Sequence, residues 1–424
     1  MKNFSRGSIL SGVVLSVMAS SVIAADTTEE QFDPEAFFKQ GMKEREEGAP
    51  YKSIESFQTI LSNKPALHRA RLELAVAYMQ TLQYQEAEQQ AQAVLDDPQT
   101  PPSVRVSILA FLAQLKKDAE QLIPQHDHKF NLSAGILFDS NVNVGPSSDV
   151  ININGDILDI TSGQPISDSA LVLTAGYDHS YRTGKTLRFG QSTGMLFWQS
   201  GATLYNRGYD EEGEFDLTVL SLRTGPAIVT NSKFRGNIAL QADHIRLGDE
   251  KLANYIGLQP SLTWAYDAST EFTIDAEVTE RDFEQETDQG RDSEYYSVGA
   301  SLGKGYKNNT VGVQAGIEYF NNQAREAEYS NDGWGAYAGI NWQVKPEGSV
   351  FSRLSYNESE YGGIVTGVGK VRDEEEIQLI IGGKHMIANE FELSLLWMRT
   401  EAESNVELYE YERNQISFNV SRKF

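Results

Sequence analysis

Six histidines and no cysteine set the limits on site chemistry in this chain of 424 residues. The absence of cysteine excludes disulfides, thiolate metal ligands and a thiol nucleophile. Metal-ligand spacing is missing among the histidines, except that His126 and His128 alternate in the segment IPQHDHKF. Two interpretations of that pair stay open, a two-ligand metal contact and a solvated linker. The linker is favoured, so neither a metal site nor a cofactor is predicted.

Nucleophilic catalysis needs a hydroxyl or thiol beside a base. His179 and Ser192 fall on neighbouring predicted strands but in opposite phase, so they do not form such a pair. Acidic clusters at 210–214 and 373–376 are interpreted as solvated loops, with divalent cations shared with lipopolysaccharide or a basic ligand as alternatives. The net charge of -24 argues against a nucleic acid partner. No catalytic residue is predicted, and we do not expect an enzyme.

The N-terminal residues have the features of an export signal. Two basic residues precede the apolar stretch ILSGVVLSV, and Val22 and Ala24 then occupy the spacing that a signal peptidase reads. The apolar stretch is far shorter than the roughly 20 residues that a membrane-spanning helix needs. We therefore predict a cleaved signal peptide over residues 1–24 and a linker over 25–33, with an uncleaved anchor as the alternative.

Residues 34–123 are rich in Ala, Leu, Glu, Gln and Lys, and their apolar residues recur at helical spacing. At an offset of 34 residues, this stretch places Gly41 over Ala75 and Phe57 over Ala91. Small residues thus recur where two helices must approach closely. A period of 34 residues formed by paired helices is typical of the tetratricopeptide repeat. We predict a module of two and a half such repeats, in which the last helix caps the stack.

The inner helices of such a stack line a concave face. In the predicted register this face, which we call the repeat groove, carries seven side chains: Phe38, Met42, Arg45, Arg69, Leu72, Val76 and Met79. Met and Phe on an open groove suit a flexible partner segment, so the repeat groove is a candidate client-binding surface. The alternative is that these side chains pack against the cap helix or the following domain.

After a predicted hinge over 124–129, the apolar period changes from 3.6 to 2 over residues 130–424. Fourteen alternating segments follow one another, and short turns such as RTGK, DAST and KPEG alternate with long polar loops. An even number of antiparallel strands with such connections is typical of an outer-membrane barrel. The predicted fold is therefore α+β with two domains, a tetratricopeptide-like helical module followed by a 14-stranded antiparallel transmembrane β-barrel.

A soluble sandwich is the alternative to the barrel, and its two sheets would enclose a dry core. The polar faces of the predicted strands carry charges, which a dry core does not tolerate unpaired and a water-filled lumen does. Six charged residues are predicted to line this lumen: Arg188, Asp275, Glu277, Arg281, Glu318 and Arg353. Their charges favour the membrane barrel.

The C-terminal segment YERNQISFNVSRKF has the alternation of a closing strand, which would pair with the first strand and leave no free edge in lipid. Phe418, Val420 and the terminal Phe424 resemble the signal that the barrel assembly machinery recognises, although Arg422 departs from the usual apolar position. We expect that machinery, outer-membrane lipid and lipopolysaccharide as partners.

A short tetratricopeptide module directly before a fourteen-stranded barrel resembles the surface lipoprotein assembly modulators (Slam) of type XI secretion. The segment GILFDSNVNVGP at the end of the first strand is similar to the Gly-x-x-x-Asp-Ser-Asn-Val-Asn stretch of that family, which other barrels with helical repeats share. The resemblance implies a translocator that moves a client, a lipoprotein or a soluble haem- or metal-binding protein, from periplasm to cell surface. It also implies an outer-membrane location, with the helical module in the periplasm.

Three other functions stay open at this point. A polysaccharide exporter also places such repeats before a barrel, usually in a longer array, and would favour aromatic platforms along the lumen, which are predicted to be few. A diffusion porin would make the helical module superfluous. A barrel lipase or deacylase would need a nucleophile with its base. The protein translocator is the function that the sequence favours.

Overall fold

The computed structural model of the protein describes residues 32–121, 125–153, 156–159, 163–231, 233–387 and 390–424. The predicted signal peptide lies outside these residues, as does most of the predicted linker. Within the described ranges, a helical module precedes a closed barrel. No helix in these ranges is both long enough and apolar enough to cross a membrane.

The described part of the helical module contains five helices: α1 (Pro34–Glu46), α2 (Pro50–Asn63), α3 (His68–Gln80), α4 (Tyr84–Leu95) and α5 (Pro102–Gln121). The second helix pair begins 34 residues after the first, which is the period expected from the sequence. Proline opens α1 and α2, where a backbone N–H would have no partner within the helix. The Asp33 carboxylate caps α1 by accepting a hydrogen bond of 2.9 Å from the Glu35 N–H.

Small residues lie at the helix crossings, as expected. A Cβ atom on Gly41 would come within 2.9 Å of the Phe57 ring, so glycine lets α1 and α2 approach. Ala75 and Ala91 are buried in the same way where α3, α4 and α5 meet. Phe57 is fully buried, and burial of such a side chain contributes about 1.5–3 kcal/mol. The module therefore has a hydrophobic core of its own.

The strands are β1 (His126–Asp139), β2 (Val150–Ile153), β3 (Asp156–Asp159), β4 (Asp168–Phe189), β5 (Ser192–Tyr209), β6 (Leu217–Thr230), β7 (Phe234–Leu247), β8 (Glu250–Ala265), β9 (Thr270–Phe283), β10 (Ser293–Tyr306), β11 (Val311–Ala324), β12 (Asn331–Lys345), β13 (Gly348–Ile364), β14 (Val371–Ile387), β15 (Phe391–Ser404) and β16 (Tyr411–Lys423). β2 and β3 pair only with each other, in the loop after β1. The other fourteen close into an antiparallel barrel, which confirms the predicted fold.

Two chemically different faces run around the barrel. On β1, Phe130, Leu132, Ile136 and Phe138 point outward, and about half of the Ile136 surface is exposed. The alternate residues point inward, and Asp139 at the end of β1 is buried there. Apolar side chains left exposed along successive strands form the lipid-facing band of a membrane barrel.

The first and last strands close the barrel. Ile136 lies opposite Phe418, and Phe138 lies opposite Ile416. Phe424 also takes part, because its backbone exchanges hydrogen bonds of 2.9 and 3.2 Å with Phe130. The closing strand expected from the C-terminal alternation is therefore present, and no barrel edge is left unpaired.

The structure differs from two local expectations. β1 begins at His126, so most of the predicted hinge over 124–129 belongs to the first strand, because His126 and His128 continue the outward alternation of Phe130. RTGK, at 182–185, is an irregularity within β4 and not its end.

β4 continues beyond RTGK because Leu187 and Phe189 resume the alternation. Gly184 and Gly190 both have positive φ, of 73° and 60°, and only Gly190 lies in the turn to β5. The hairpin formed by β4 and β5 is therefore longer than predicted.

Candidate functional site

The repeat groove is only partly a surface. Phe38 is 4% exposed and packs edge to face on Phe57, with ring centroids 5.5 Å apart. The guanidinium of Arg69 covers the Phe38 ring at 4.0 Å. Phe38 is therefore a core residue, because α1 turns its side chain towards α2, and Arg69 takes its place at the surface.

The remaining groove residues line a half-buried strip along α1 and α3. Arg45 forms an ion pair with Glu73, and its Nη2 atom lies 3.5 Å from the sulfur of Met42. Leu72 packs against the core formed by α3, α4 and α5, as the alternative interpretation proposed for such residues. The half-buried residues of the strip are Met42, Arg45, Leu72, Val76 and Met79.

Polar contacts connect the start of α3 to the loop after α4, at the far end of the module. The Nε2 atom of His68 lies 2.7 Å from Oδ2 of Asp97, and the Gln99 N–H donates to Oδ1 at 2.8 Å. These hydrogen bonds, first that from Gln99 and then that with His68, hold the pKa of Asp97 below its usual value. Arg105 donates to the Leu95 carbonyl at 2.8 Å and thereby satisfies a helix-end acceptor.

The long β4–β5 hairpin contacts helix α2. The Tyr51 hydroxyl lies 2.7 Å from the hydroxyl of Thr193, which is fully buried. The Lys52 N–H donates to the Gln191 side chain at 3.3 Å. These contacts, made by Gln191 in the hairpin turn and by Thr193 just after it, connect the helical module directly to the barrel.

Arg188 was predicted to line the lumen, but it lies between the β4–β5 hairpin and α2. Its guanidinium stacks on the Tyr51 ring at 4.1 Å and lies 3.4 Å from Oε1 of Glu55. Nearby, the Asn231 side chain donates to the Gln80 carbonyl at 3.0 Å. The sequence could not reveal this position, because the glycine in RTGK resembles the end of the strand.

Tyr84, the first residue of α4, is influenced electrostatically by the barrel. Burial raises the pKa of Tyr84, Asp118 adds to the rise, and Arg182 of β4 opposes it. The positive charge of Arg182 therefore acts on Tyr84 in the helical module. We call the contacts of Arg188, Gln191, Thr193 and Asn231 with the helices the module–barrel joint.

The other five predicted lumen residues share the inner face. Asp275 and Glu318 both lie opposite Gly299, one on each side, so the two carboxylates occupy one row across β9, β10 and β11. A Cβ atom on Gly299 would come within 2.8 Å of Asp275, so the missing side chain makes room for this row. Glu277 lies one inward position further along β9, opposite Ser297.

Arginines on the inner wall lie over tyrosine rings. Arg281 stands 4.0 Å from the centroid of Tyr295 and 5.3 Å from that of Tyr255, and Arg353 stands 3.9 Å from that of Tyr337. The sequence alone predicts few aromatic side chains on the inner face of the barrel. The tyrosines were missed because they alternate with apolar outward residues and so resemble part of the polar face.

Opposite charges pair across the inner wall, and each pair spans one intervening strand. Arg235 of β7 binds Glu271 of β9 through two hydrogen bonds of 2.7 and 2.5 Å. Arg223 of β6 forms an ion pair with Asp178 of β4 on the other side of β5. Gly201 of β5 lies between them, where a side chain would clash with both.

Asp139 in the GILFDSNVNVGP segment is the centre of a buried network at the opposite end of the barrel from the helices. Arg413 of β16 donates to both Asp139 oxygens, at 2.9 and 2.6 Å, and the Tyr209 hydroxyl donates at 2.8 Å. Gln415 donates to the same carboxylate at 2.6 Å. One side chain therefore ties β1 to β16 and, through Tyr209, to β5.

The asparagines of the segment fix the following loop. Asn141 is fully buried, donates to the Gly145 and Glu412 carbonyls at 2.9 and 3.1 Å, and accepts from the Gly145 N–H at 2.7 Å. Asn143 accepts from the Ile166 N–H at 3.0 Å. Asp139, Asn141 and Asn143, which alternate in the sequence, thus each hold part of the loop that follows β1.

Comparison with known proteins supports the family assignment. Residues 128–424, more than half of the chain, match the family described as surface lipoprotein assembly modifier. None of the curated proteins compared with the chain matches it. The matched region comprises nearly all of β1 and every later barrel strand.

Solved outer-membrane structures are similar at low identity. An outer membrane channel from Pseudomonas putida F1 is 11% identical, with 71% of this chain and 97% of that chain covered and a TM-score of 0.40. The outer membrane channel DcaP of Acinetobacter baumannii is 9% identical, with 70% and 97% covered and a TM-score of 0.40. A bacterial polysaccharide outer membrane secretin is 10% identical, with 69% and 98% covered and a TM-score of 0.37.

Similarity at these TM-scores carries no argument about cargo. The family match rests on the barrel sequence itself, and the closed fourteen-stranded barrel with its apolar outer band agrees with it. The family is named for lipoprotein assembly and not for a chemical reaction. This outer-membrane β-barrel protein belongs to the surface lipoprotein assembly modifier family.

Proposed function

We propose that this protein helps to move a client protein, a surface lipoprotein or a small secreted protein, from the periplasm to the cell surface. The helical module receives the client, and the barrel aids its passage. The observation that carries the proposal is the module–barrel joint, which holds a helical binding surface against the rim of a barrel of the lipoprotein assembly family.

The lengths of the connections support a periplasmic position for the helices. The connections at the barrel end that contacts the module, such as that between β4 and β5, are all short, whereas the other end carries the long loops together with one short connection between β7 and β8. In outer-membrane barrels the short turns face the periplasm and the long loops face outward. A client delivered to the helices would therefore meet the barrel from the periplasmic side.

The open part of the repeat groove suits an extended client segment. Met42 and Met79 are half-buried, and Arg45 lies 3.5 Å from the Met42 sulfur, so flexible apolar side chains share the groove with a cation. Methionine adapts its shape to different partners, which favours binding of varied apolar segments. Phe38 contributes by supporting Arg69 from below.

A polysaccharide exporter is the second candidate. The tyrosines on the inner face favour it, because the sequence alone predicts few aromatic side chains there. A sugar path needs exposed aromatic faces, however, and guanidinium groups cover Tyr295 and Tyr337 at 4.0 and 3.9 Å. A cation seated on a ring competes with a sugar for that face. Protein cargo is therefore the better supported proposal.

The outer surface supports the remaining partners. Exposed apolar side chains on each barrel strand favour outer-membrane lipid, with lipopolysaccharide at the end that carries the long loops. Phe418 and Val420 point outward on β16, and Phe424 is also exposed, so all three can be read by the barrel assembly machinery during insertion.

Comparison of surface proteomes with and without the gene tests the proposal. We expect one or a few lipoproteins or secreted proteins to remain in the periplasm of the deletion strain. Identical surface proteomes together with loss of secreted polysaccharide would replace the proposal with the exporter.

A double variant tests the role of the repeat groove. Met42→Glu with Met79→Glu should impair client display, because two carboxylates would have to be desolvated against an apolar client segment. Val106→Glu is the matched control, since Val106 is an exposed apolar residue of α5 outside the groove. All variants should assemble the barrel normally, and equal display by the double variant and the control would refute the role of the groove.

A further inference from the structure

We propose that His126, His128 and His179 form a binding site for a divalent transition-metal ion on the outer surface of the barrel, beside the module–barrel joint. The sequence alone brings together only His126 and His128 and favours a solvated linker. The register adds His179, which lies on β4 directly opposite His128.

The strand geometry places all three imidazoles on one face. His126 and His128 are separated by one residue on β1, so both point outward with Phe130. His179 belongs to the outward series of β4 that includes Leu171 and Leu173. One nitrogen from each histidine lies within 4.8 Å of the others.

The nitrogen separations are near those of a metal site. Nδ1 of His126 lies 3.0 Å from Nε2 of His179, whereas zinc–nitrogen bonds of about 2.0–2.1 Å place two tetrahedral ligands roughly 3.4 Å apart. His126 and His128 are exposed and His179 is half-buried, so their rings can rotate to converge on an ion. The imidazole planes are now nearly parallel, at 9° between His126 and His179, and binding requires that rotation.

The surroundings leave ring nitrogens of the cluster available to an ion. The Tyr177 hydroxyl lies 2.9 Å from Nδ1 of His128, which leaves Nε2 of that ring for the ion. Asp127 and Lys129 pair with each other at 3.1 Å, and they alternate with the histidines along β1, so their charges point away. A set of imidazole ligands suits Zn²⁺, Ni²⁺ and Cu²⁺.

Three protein ligands leave at least one coordination position open for water or for a side chain of another molecule. The bound ion would also cross-link β1 to β4 at the point where the chain passes from the helices into the barrel. β4 continues from His179 to Arg188, which contacts α2. The metal would therefore hold β4, which carries Arg188 of the module–barrel joint, more firmly against β1.

The test uses the full-length protein in detergent, without a histidine tag, after removal of metals by a chelator. Titration with Zn²⁺ in a calorimeter should give one ion per chain, and Co²⁺ should give the visible absorption of a nitrogen-ligated site. His126→Ala and His179→Ala should each weaken Zn²⁺ binding at least tenfold. Absence of stoichiometric binding by the wild-type protein would overturn the proposal.

His385→Ala is the matched control. His385 is also exposed on the outer face, near the end of β14 at the same rim, but the register places it opposite Gly348 and away from the cluster. Its substitution should leave Zn²⁺ affinity unchanged. Equal Zn²⁺ affinity of His179→Ala and His385→Ala would show that the three histidines form only an aromatic surface strip.

A second measurement needs no variant and so does not depend on variant folding. Diethylpyrocarbonate modifies accessible imidazoles, and mass spectrometry reports each site separately. Zn²⁺ should protect His126, His128 and His179 and leave His385 equally reactive. Equal modification of the cluster with and without Zn²⁺ would contradict the site.

Discussion

Asp139→Ala should destabilise the barrel more than loss of an exposed charge pair would. The substitution removes the acceptor of Arg413, Tyr209 and Gln415 at once. It also removes the acceptor of the Asn141 N–H, at 3.1 Å. Because the network connects the first strand to the last, the loss falls on the closure of the barrel.

The size of the effect follows from burial. The Asp139 side chain is 0% exposed and that of Arg413 is 17% exposed, so water cannot replace the lost carboxylate around Arg413. Removing one partner of a buried ion pair costs about 3–5 kcal/mol, mostly because the other charge stays buried and unpaired. We expect Asp139→Ala to lower the free energy of unfolding by about that amount.

The matched control is Glu271→Ala. Glu271 also binds its arginine through two hydrogen bonds, but the side chains of Arg235 and Glu271 are 52% and 43% exposed. Exposed pairs contribute about 0–1 kcal/mol, so this variant should change the free energy of unfolding little. The contrast isolates burial from the loss of an arginine–carboxylate pair.

Urea unfolding of the refolded protein in lipid vesicles, followed by tryptophan fluorescence, measures both variants. The double variant Asp139→Ala with Arg413→Ala completes a cycle, and its cost should be well below the sum of the two single costs. Equal unfolding free energies for Asp139→Ala and Glu271→Ala, or additive costs in the cycle, would refute the reasoning.

Three further outcomes concern the helical module and its joint. Phe57→Ala should cost about 3–5 kcal/mol of local stability, seen as faster hydrogen exchange in α1 and α2, and unchanged exchange would contradict its role in the core. Thr193→Val removes the hydroxyl that Tyr51 contacts, so proteinase K should cleave between the helices and the barrel faster than in the wild type; equal rates would show that the joint does not depend on this hydroxyl. The lowered pKa of Asp97 means that its stabilisation is present above its ordinary value of 3.8 and is lost as pH falls through the folded value. Protection factors around the α4–α5 loop should therefore fall in that acidic range in the wild type but not in Asp97→Asn, which should already be less protected at neutral pH.

The barrel was predictable because its signal is repeated in every strand. Alternation sets which face meets lipid, and the alternating connection lengths set the strand order, so a local error does not change the architecture. The extended β4–β5 hairpin shows such an error. Gly184 reads as a turn in the sequence, and only pairing of Thr186 with Met195 shows that β4 continues.

The sites were less predictable because their members are distant in the chain. Asp139 was recognisable only as part of a segment, since its partners Tyr209 and Arg413 are 70 and 274 residues away. His179 is likewise 53 residues from His126. The prediction that Phe38 lines the repeat groove was wrong for another reason. Helical spacing places a residue on a face of a helix but does not show whether a neighbouring helix covers that face.

The paired charges of the inner wall have a consequence for transit. Arg235 with Glu271, and Arg223 with Asp178, each cancel one another over a few ångströms, so their field decays quickly towards the barrel axis. A wall of this kind attracts water but holds no strong electrostatic trap for a charged segment in front of these pairs. If the proposed client passes through the lumen, its side chains of either sign would meet little electrostatic attraction at these pairs.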